Sequence, residues 1–242
     1  MNNMLMDSYG RVITSLRVSI TKKCNLNCIY CHEEGEERNP EREISLDTIV
    51  KIVTTATEFG VKKVKFSGGE PLMRNDFEEI IRALPDLKDI SATTNGVLLS
   101  KRAASLADRY NGNVILQLIE LMNFKNVSQY MIDINSLEKM LESRATYINE
   151  RQMHRRKKYI IGGVEVELVR PIDNSIFCAN CNRLRLTSTG KLKPCLMRND
   201  NLIEIKDEAT PDEIREMIKD AAKIREPYYK NNLKQIKIMC KI

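Results

Sequence analysis

The run Leu16-Arg17-Val18-Ser19-Ile20 alternates apolar and polar residues, the pattern of a strand, and it leads directly to Cys24, Cys28 and Cys31. A strand that delivers three thiols into one short loop constrains this chain more than any other feature. Thiolates are the usual ligands of iron–sulfur clusters. Three of them, in C-x3-C-x2-C spacing, leave one iron of a four-iron cubane without a protein ligand and open to a small molecule. Zinc is the competing reading, with His32 as a fourth ligand. Structural zinc sites are normally closed by four ligands, a set that two C-x2-C pairs supply better than one triad with a three-residue first gap.

The chain has 242 residues, enough for one large domain or a domain with an appended subdomain. Aliphatic residues dominate and Trp is absent, which fits an α/β interior. A net charge of +6 is read either as a solvated basic surface or as a match to an anionic substrate. Residues 1–20 contain no uninterrupted apolar segment, and no stretch has the length of a transmembrane helix, so the expectation is a cytoplasmic protein away from the membrane. Seven cysteines, six of them in two triads, suit metal ligation in a reducing compartment better than a disulfide framework.

After the Cys loop, Ser45 can cap a helix with Ile49, Ile52, Val53 and Ala56 on one face, ended by Gly60. A strand over Lys63–Phe66 stops at Gly68-Gly69. A helix carrying Phe77, Ile80, Ile81 and Leu84 follows, then a strand over Ile90–Thr94 stopped by Asn95-Gly96. A third helix is expected over about Ser100–Arg109 and another strand over Val114–Glu120. Strands alternating with helices predict parallel β/α units with functional loops at the carboxyl ends of the strands. From about Tyr159 the texture changes to strand segments around Gly162-Gly163 and a hairpin over Leu184–Leu196. Thr210-Pro211-Asp212-Glu213 is a capping box, with Ile214, Met217, Ile218 and Ala221 as the buried stripe of its helix. The basic stretch 151–158 lacks interleaved aromatics, so nucleic acid is not expected.

Gly68-Gly69-Glu70-Pro71 falls at a strand end, where glycines permit close backbone approach and a carboxylate can receive an amine. With the Cys triad it resembles the radical S-adenosylmethionine (SAM) enzymes. Cys178-Ala179-Asn180-Cys181-Asn182-Arg183-Leu184-Arg185 and the later Cys195 form a second triad, with Cys195 brought back by the hairpin. Together with L-R-V-S-I-T-K-K-C-N-L-N-C-I-Y-C, S-G-G-E-P-L-M-R and T-T-N-G, this run resembles the GTP 3′,8-cyclases of molybdenum-cofactor biosynthesis over most of the chain.

The resemblance implies two 4Fe–4S clusters, one on Cys24, Cys28 and Cys31 and one on Cys178, Cys181 and Cys195. It implies reductive cleavage of SAM to a 5′-deoxyadenosyl radical, abstraction of the 3′ hydrogen of GTP, and attack of the ribose radical on C8 of guanine. A downstream cyclic pyranopterin monophosphate synthase and an electron donor complete the implied partners. Tyr30, Gly68, Gly69, Glu70 and Met122 would contact SAM, although Met122 reads equally as core packing. Arg17, Lys63, Lys65, Thr94, Arg183, Leu184 and Arg185 would contact GTP, and planar guanidinium groups suit its triphosphate. The implied architecture is a partial (β/α) barrel over 1–150 with a hairpin-and-helix extension over 151–242 that carries the second cluster and GTP-binding residues.

The chain departs from the family between Tyr110 and Val114, where two more β/α units, each of about 30 residues or more, are usual. The shortened barrel would expose strand edges that a homodimer could cover. Gln117 replaces a GTP-contacting Arg, and the end Met239-Cys240-Lys241-Ile242 replaces a Gly-Gly tail. Three functions follow: a GTP 3′,8-cyclase of reduced architecture, another radical SAM enzyme with an auxiliary cluster, or an inactive iron–sulfur relative. GTP-dependent formation of 5′-deoxyadenosine separates the first from the other two.

Overall fold

The computed structural model describes residues 4–29, 31–36, 42–98, 101–102, 115–119, 133–150, 156–161, 164–169 and 180–226, with the backbone alone at 115–119, 164 and 169. Tyr30, Met122, Cys178, Cys240 and most of the expected third helix lie outside the described residues. The chain divides into two compact units.

The first unit is built on β1 (Ser15–Thr21), β2 (Lys63–Gly68), β3 (Asp89–Ala92), β8 (Arg183–Leu186), β9 (Lys191–Lys193) and β10 (Ile203–Glu204). These form one sheet in the order β10-β9-β8-β1-β2-β3. Strands β8, β1, β2 and β3 run parallel, and the hairpin strands β9 and β10 pair antiparallel at the other edge. The expected β/α alternation is present here, since α1 (Leu46–Glu58) joins β1 to β2 and α2 (Phe77–Ala83) joins β2 to β3.

Alternation along the strands sorts the sheet into two faces. Leu16, Val18 and Ile20 of β1, Val64 and Phe66 of β2, and Leu184 and Leu186 of β8 are buried on one face. Ile49, Ile52 and Val53 of α1 and Phe77 and Ile80 of α2 are buried with them, and Phe66 meets Phe77 edge-on at 5.7 Å. The helix α4 (Pro211–Lys223) packs on α1 and buries Ile214, Ile218 and Ala221, while Met217 is half-buried. Both expected caps form: Ser45 accepts from Thr48 N, and Thr210 with Glu213 closes a full capping box. Gly60, at φ +87, carries the chain out of α1 where a non-glycine residue would be strained.

The second unit is a four-stranded sheet in the order β4-β7-β6-β5, from β4 (Ile115–Ile119), β5 (Tyr147–Glu150), β6 (Lys157–Ile161) and β7 (Val164–Val169), with α3 (Ile134–Arg144) packed on β6. Among the described residues its core is Ile134, Leu141, Tyr159, Val166 and Leu168. The strand expected over Val114–Glu120 forms as β4, and β/α alternation predicts it in the same sheet as β3. Instead β4 pairs in parallel with β7 over Ile115–Ile119 and Glu165–Val169, so it belongs to a different sheet. Among the described residues no helix is long and apolar enough to cross a membrane.

Candidate functional site

The polar face of the first sheet carries the basic residues singled out from the sequence. Parallel pairing puts Arg17 opposite Arg185 on one side and opposite Lys65 on the other, so these three cations form one row across β8, β1 and β2. The rung below holds Arg183, Ser15 and Lys63, again in register. Leu184 points the other way, into the core. A row of like charges on adjacent strands repels itself unless an anion lies over it.

A carboxylate lies over it here. Glu34, in a turn at Glu33–Gly35, takes Arg17 Nη2 on Oε1 at 2.8 Å and Arg185 Nη1 on Oε2 at 3.2 Å. Arg17 Nε donates in addition to Ser67 Oγ at 3.0 Å. Burial alone would raise the Glu34 carboxyl, but Arg17 and Arg185, with His32 and Arg183, overcome it and hold the pKa below the ordinary carboxylate value. Burial pushes His32 down, and its Nδ1 accepts from Glu34 N at 3.1 Å. Beside them Lys193 is buried, and its Nζ donates to Gly35 O at 2.9 Å and to Asn199. Burial, with Arg185 nearby, pushes the Lys193 ammonium down to about 8. Glu36 Oε2 accepts from Ser188 N and Oγ at 3.0 and 2.6 Å. Sequence reasoning missed Glu34, Glu36 and Lys193. The acidic run directly after the Cys triad was the available signal for the first two.

At the carboxyl end of β1 the chain enters the Cys loop. Thr21 Oγ1 donates to Glu43 at 2.6 Å and accepts from Lys23 N at 3.0 Å, which fixes the loop's first residues. Gly68 and Gly69 lie against this segment: a Cβ on Gly68 would sit 2.2 Å from Thr21 O, and one on Gly69 2.3 Å from Lys23 O. Gly69 N and Glu70 N donate to those same carbonyls, each at 2.8 Å. The glycine pair therefore seats the start of the Cys loop on the end of β2.

Glu70 is fully buried and its carboxylate accepts from Leu72 N, Thr94 Oγ1 and Asn95 N at 2.9, 2.8 and 2.7 Å. Asn95 in turn donates through Nδ2 to Asn25 Oδ1 at 2.9 Å and lies 3.9 Å from Cys24 Sγ. Thr94, expected at the substrate, thus joins the strut that ties the end of β3 to the Cys loop.

Cys24 and Cys31 are exposed, and Cys28, Cys181 and Cys195 are half-buried. Cys24 and Cys195 belong to the first unit, and Cys28, Cys31 and Cys181 to the second. Among the described residues no three His, Cys, Asp or Glu side chains converge as a ready-made metal site. The donor set of the first triad nevertheless fits an iron–sulfur cluster in kind: three thiols within eight residues, two of them exposed, with N–H groups of Leu26 and Asn95 facing Cys24 Sγ at 3.5 and 3.9 Å. Of the second triad, Cys181 and Cys195 are described.

Two family models match the chain: the Radical SAM superfamily over residues 18–143 and Molybdenum Cofactor Synthesis C over residues 114–231. A "Probable GTP 3′,8-cyclase" of Methanosarcina acetivorans is 44% identical over 301 residues, covering 93% of this chain and 90% of the relative. Its namesake in Methanocella arvoryzae is 40% identical, covering 96% and 97%, and that of Archaeoglobus fulgidus 37%, covering 94% and 100%. Among solved structures, Streptococcus suis SuiB bound to S-adenosylmethionine is 14% identical with a TM-score of 0.49 over 84% of this chain and 64% of that one, too distant to carry an argument. Identity at this level over nearly the whole chain, with both family models, means that the chain belongs to the GTP 3′,8-cyclase family within the radical SAM superfamily.

Proposed function

We propose that this protein is a radical SAM GTP 3′,8-cyclase, forming (8S)-3′,8-cyclo-7,8-dihydroguanosine 5′-triphosphate from GTP in the first step of molybdopterin biosynthesis. The observation that carries the reading is the in-register row Arg185–Arg17–Lys65, which presents three cations to one polyanion from the polar face of the sheet. Lys63 and Arg183 stand one rung below and extend the basic surface along the same strands.

An iron–sulfur cluster held by Cys24, Cys28 and Cys31 supplies the one-electron chemistry that SAM cleavage requires. Tyr30, Gly68, Gly69, Glu70 and Met122 are proposed to hold SAM. For Gly69 and Glu70 the support is their contact with the base of the Cys loop. Arg17, Lys63, Lys65, Thr94, Arg183, Leu184 and Arg185 are proposed to hold GTP, Leu184 by fixing the backbone between its two arginine neighbours. A second cluster on Cys178, Cys181 and Cys195 is proposed in the part of the chain after residue 150, with the SAM chemistry in the part before it. The shortened barrel is supported by alignments of 301 residues to a chain of 242. Homodimerisation, an external electron donor, a downstream cyclic pyranopterin monophosphate synthase and a cytoplasmic setting complete the proposal.

The test is anaerobic: reconstitute with iron and sulfide, reduce, and supply SAM with and without GTP. Deoxyadenosine and a cyclised GTP, both dependent on GTP, are the expected products by mass spectrometry. Assembled clusters without product assign the chain to an inactive iron–sulfur relative, and deoxyadenosine that ignores GTP assigns it to a different radical SAM reaction.

A further inference from the structure

The cleft over the cation row is lined by Arg17, Ser19, Ser67, Arg185, Thr187 and Lys193, and the chain's own Glu34 sits in it. Its three cations, Arg17, Arg185 and Lys193, suit the anionic end of a nucleotide. Arg17, Glu34 and Arg185 are only 17%, 10% and 15% exposed at their side chains, so the carboxylate is buried between the two guanidiniums. The Ser19 hydroxyl, also in the cleft, is buried without a hydrogen-bond partner in the structure. A donor left over beside a bound carboxylate means that Glu34 satisfies the cleft incompletely.

The backbone that places Glu34 there is held in a conformation that side-chain-bearing residues rarely adopt. Glu33 and Glu34 have φ of +52 and +54, and they are the non-glycine residues with positive φ among those described. Such conformations persist where surrounding contacts over-determine them, and they cluster at switch segments. The contacts here are three in succession: Glu34 on Arg17 and Arg185, Gly35 O on Lys193, and Glu36 on Ser188. This turn begins two residues after Cys31, the last cysteine of the first triad.

We propose that Glu34 is an internal substitute for a phosphate group: its carboxylate occupies the arginine pair until the nucleotide's phosphate displaces it and releases the turn behind the Cys triad. The proposal rests on the reading of GTP as substrate, and it makes Glu34 a positioning residue that reports nucleotide binding to the cluster loop. A carboxylate and a phosphoryl group both present two or three acceptor oxygens to a guanidinium fork, so one can stand where the other binds. An internal competitor weakens apparent ligand affinity by the fraction of time it leaves the site open.

The experiment uses the full chain, anaerobically reconstituted, and measures binding of inorganic tripolyphosphate and of GTP by calorimetry. Glu34→Gln keeps the shape and loses the charge, so both dissociation constants should fall by about tenfold or more, while Glu58→Gln, the same charge change on the outer face of α1, leaves them unaltered. A merely structural role for Glu34 gives weaker binding in the variant, and that result overturns the exchange. If wild type binds GTP but the Gln variant binds it no better, the exchange falls and the substrate reading stands. If both bind tripolyphosphate with the predicted difference but neither binds GTP, the exchange stands and the substrate reading falls. Should the variant fail to fold, hydrogen exchange on wild type decides. Tripolyphosphate should speed exchange of a peptide covering residues 32–36, whereas added protection there overturns the proposal.

Discussion

At the residue scale, the Gly68-Gly69-Glu70 run does more than permit a ligand to approach. Its glycines let the backbone of β2 come within hydrogen-bonding distance of Thr21 and Lys23, and a methyl group at Gly69 has nowhere to go, because its three nearest neighbours are backbone atoms. Gly69→Ala should therefore cost about 3 kcal/mol, an overpacking penalty with no flexible side chain to yield. The expected readouts are a lowered urea midpoint and iron content below that of wild type after reconstitution, and unchanged values of both sink the argument. Glu70 is the companion case. Three donors converge on its carboxylate, and Glu70→Gln turns one acceptor oxygen into an NH2 group facing a donor. A loss of about 2 kcal/mol is expected, as for hydrogen bonds to a charged group. Its structural signature should appear at the Asn95–Gly96 turn, as faster amide exchange of Asn95.

At the scale of elements, helix starts behave as independent local devices. The Thr210 side chain accepts from Glu213 N, and the Glu213 carboxylate accepts from Thr210 N at 2.8 Å, in the capping box that the sequence motif announces. Thr210→Ala should lower stability by about 1 kcal/mol and leave nucleotide binding untouched, since α4 packs on α1 and β9 and none of its residues lines the cleft over Arg17 and Arg185. Equal loss of GTP affinity in this variant contradicts that separation. Local signals of this kind account for what was legible: Ser45 and Thr210 as caps, Gly60 as the end of α1, and the apolar stripes of α1 and α4 follow from neighbours in sequence. The alternation of Arg17, Lys63, Lys65, Arg183 and Arg185 was equally readable, and it fixed which face each would take. Their meeting was not, because the register Arg185–Arg17–Lys65 depends on β8 docking beside β1 across a separation in sequence that no local pattern encodes. Glu34 escaped for a related reason: an acidic residue among several in a turn carries no mark until the arginines opposite it are known.

At the scale of the whole molecule, the same distinction separates the two units. The path from β1 through β3 reads directly from the sequence, because each parallel pair is joined by its own helix. β4 does not, because its partner β7 lies some fifty residues on and is reached through α3, β5 and β6. Among the described residues, the core of the second unit holds Ile134, Leu141, Tyr159, Val166 and Leu168, and Tyr159 makes a side-chain hydrogen bond from it. Its hydroxyl donates to Glu138 Oε1 at 3.0 Å, with Lys157 on the same carboxylate at 3.1 Å. Burial first, and then the bond to Glu138, pushes the phenol from 10.0 up to about 12. A pKa raised in the folded state means that the native protein keeps the proton when the unfolded chain has released it. The resulting stability is complete below about pH 10 and declines as pH rises towards 12. Tyr159→Phe removes this titrating group, along with a hydrogen bond worth about 1–2 kcal/mol at neutral pH. Urea unfolding of both proteins should show a gap between their midpoints that is constant from pH 7 to 9 and closes between 10 and 12. A gap that stays open through that range means that the phenol's pKa is not raised in the folded protein.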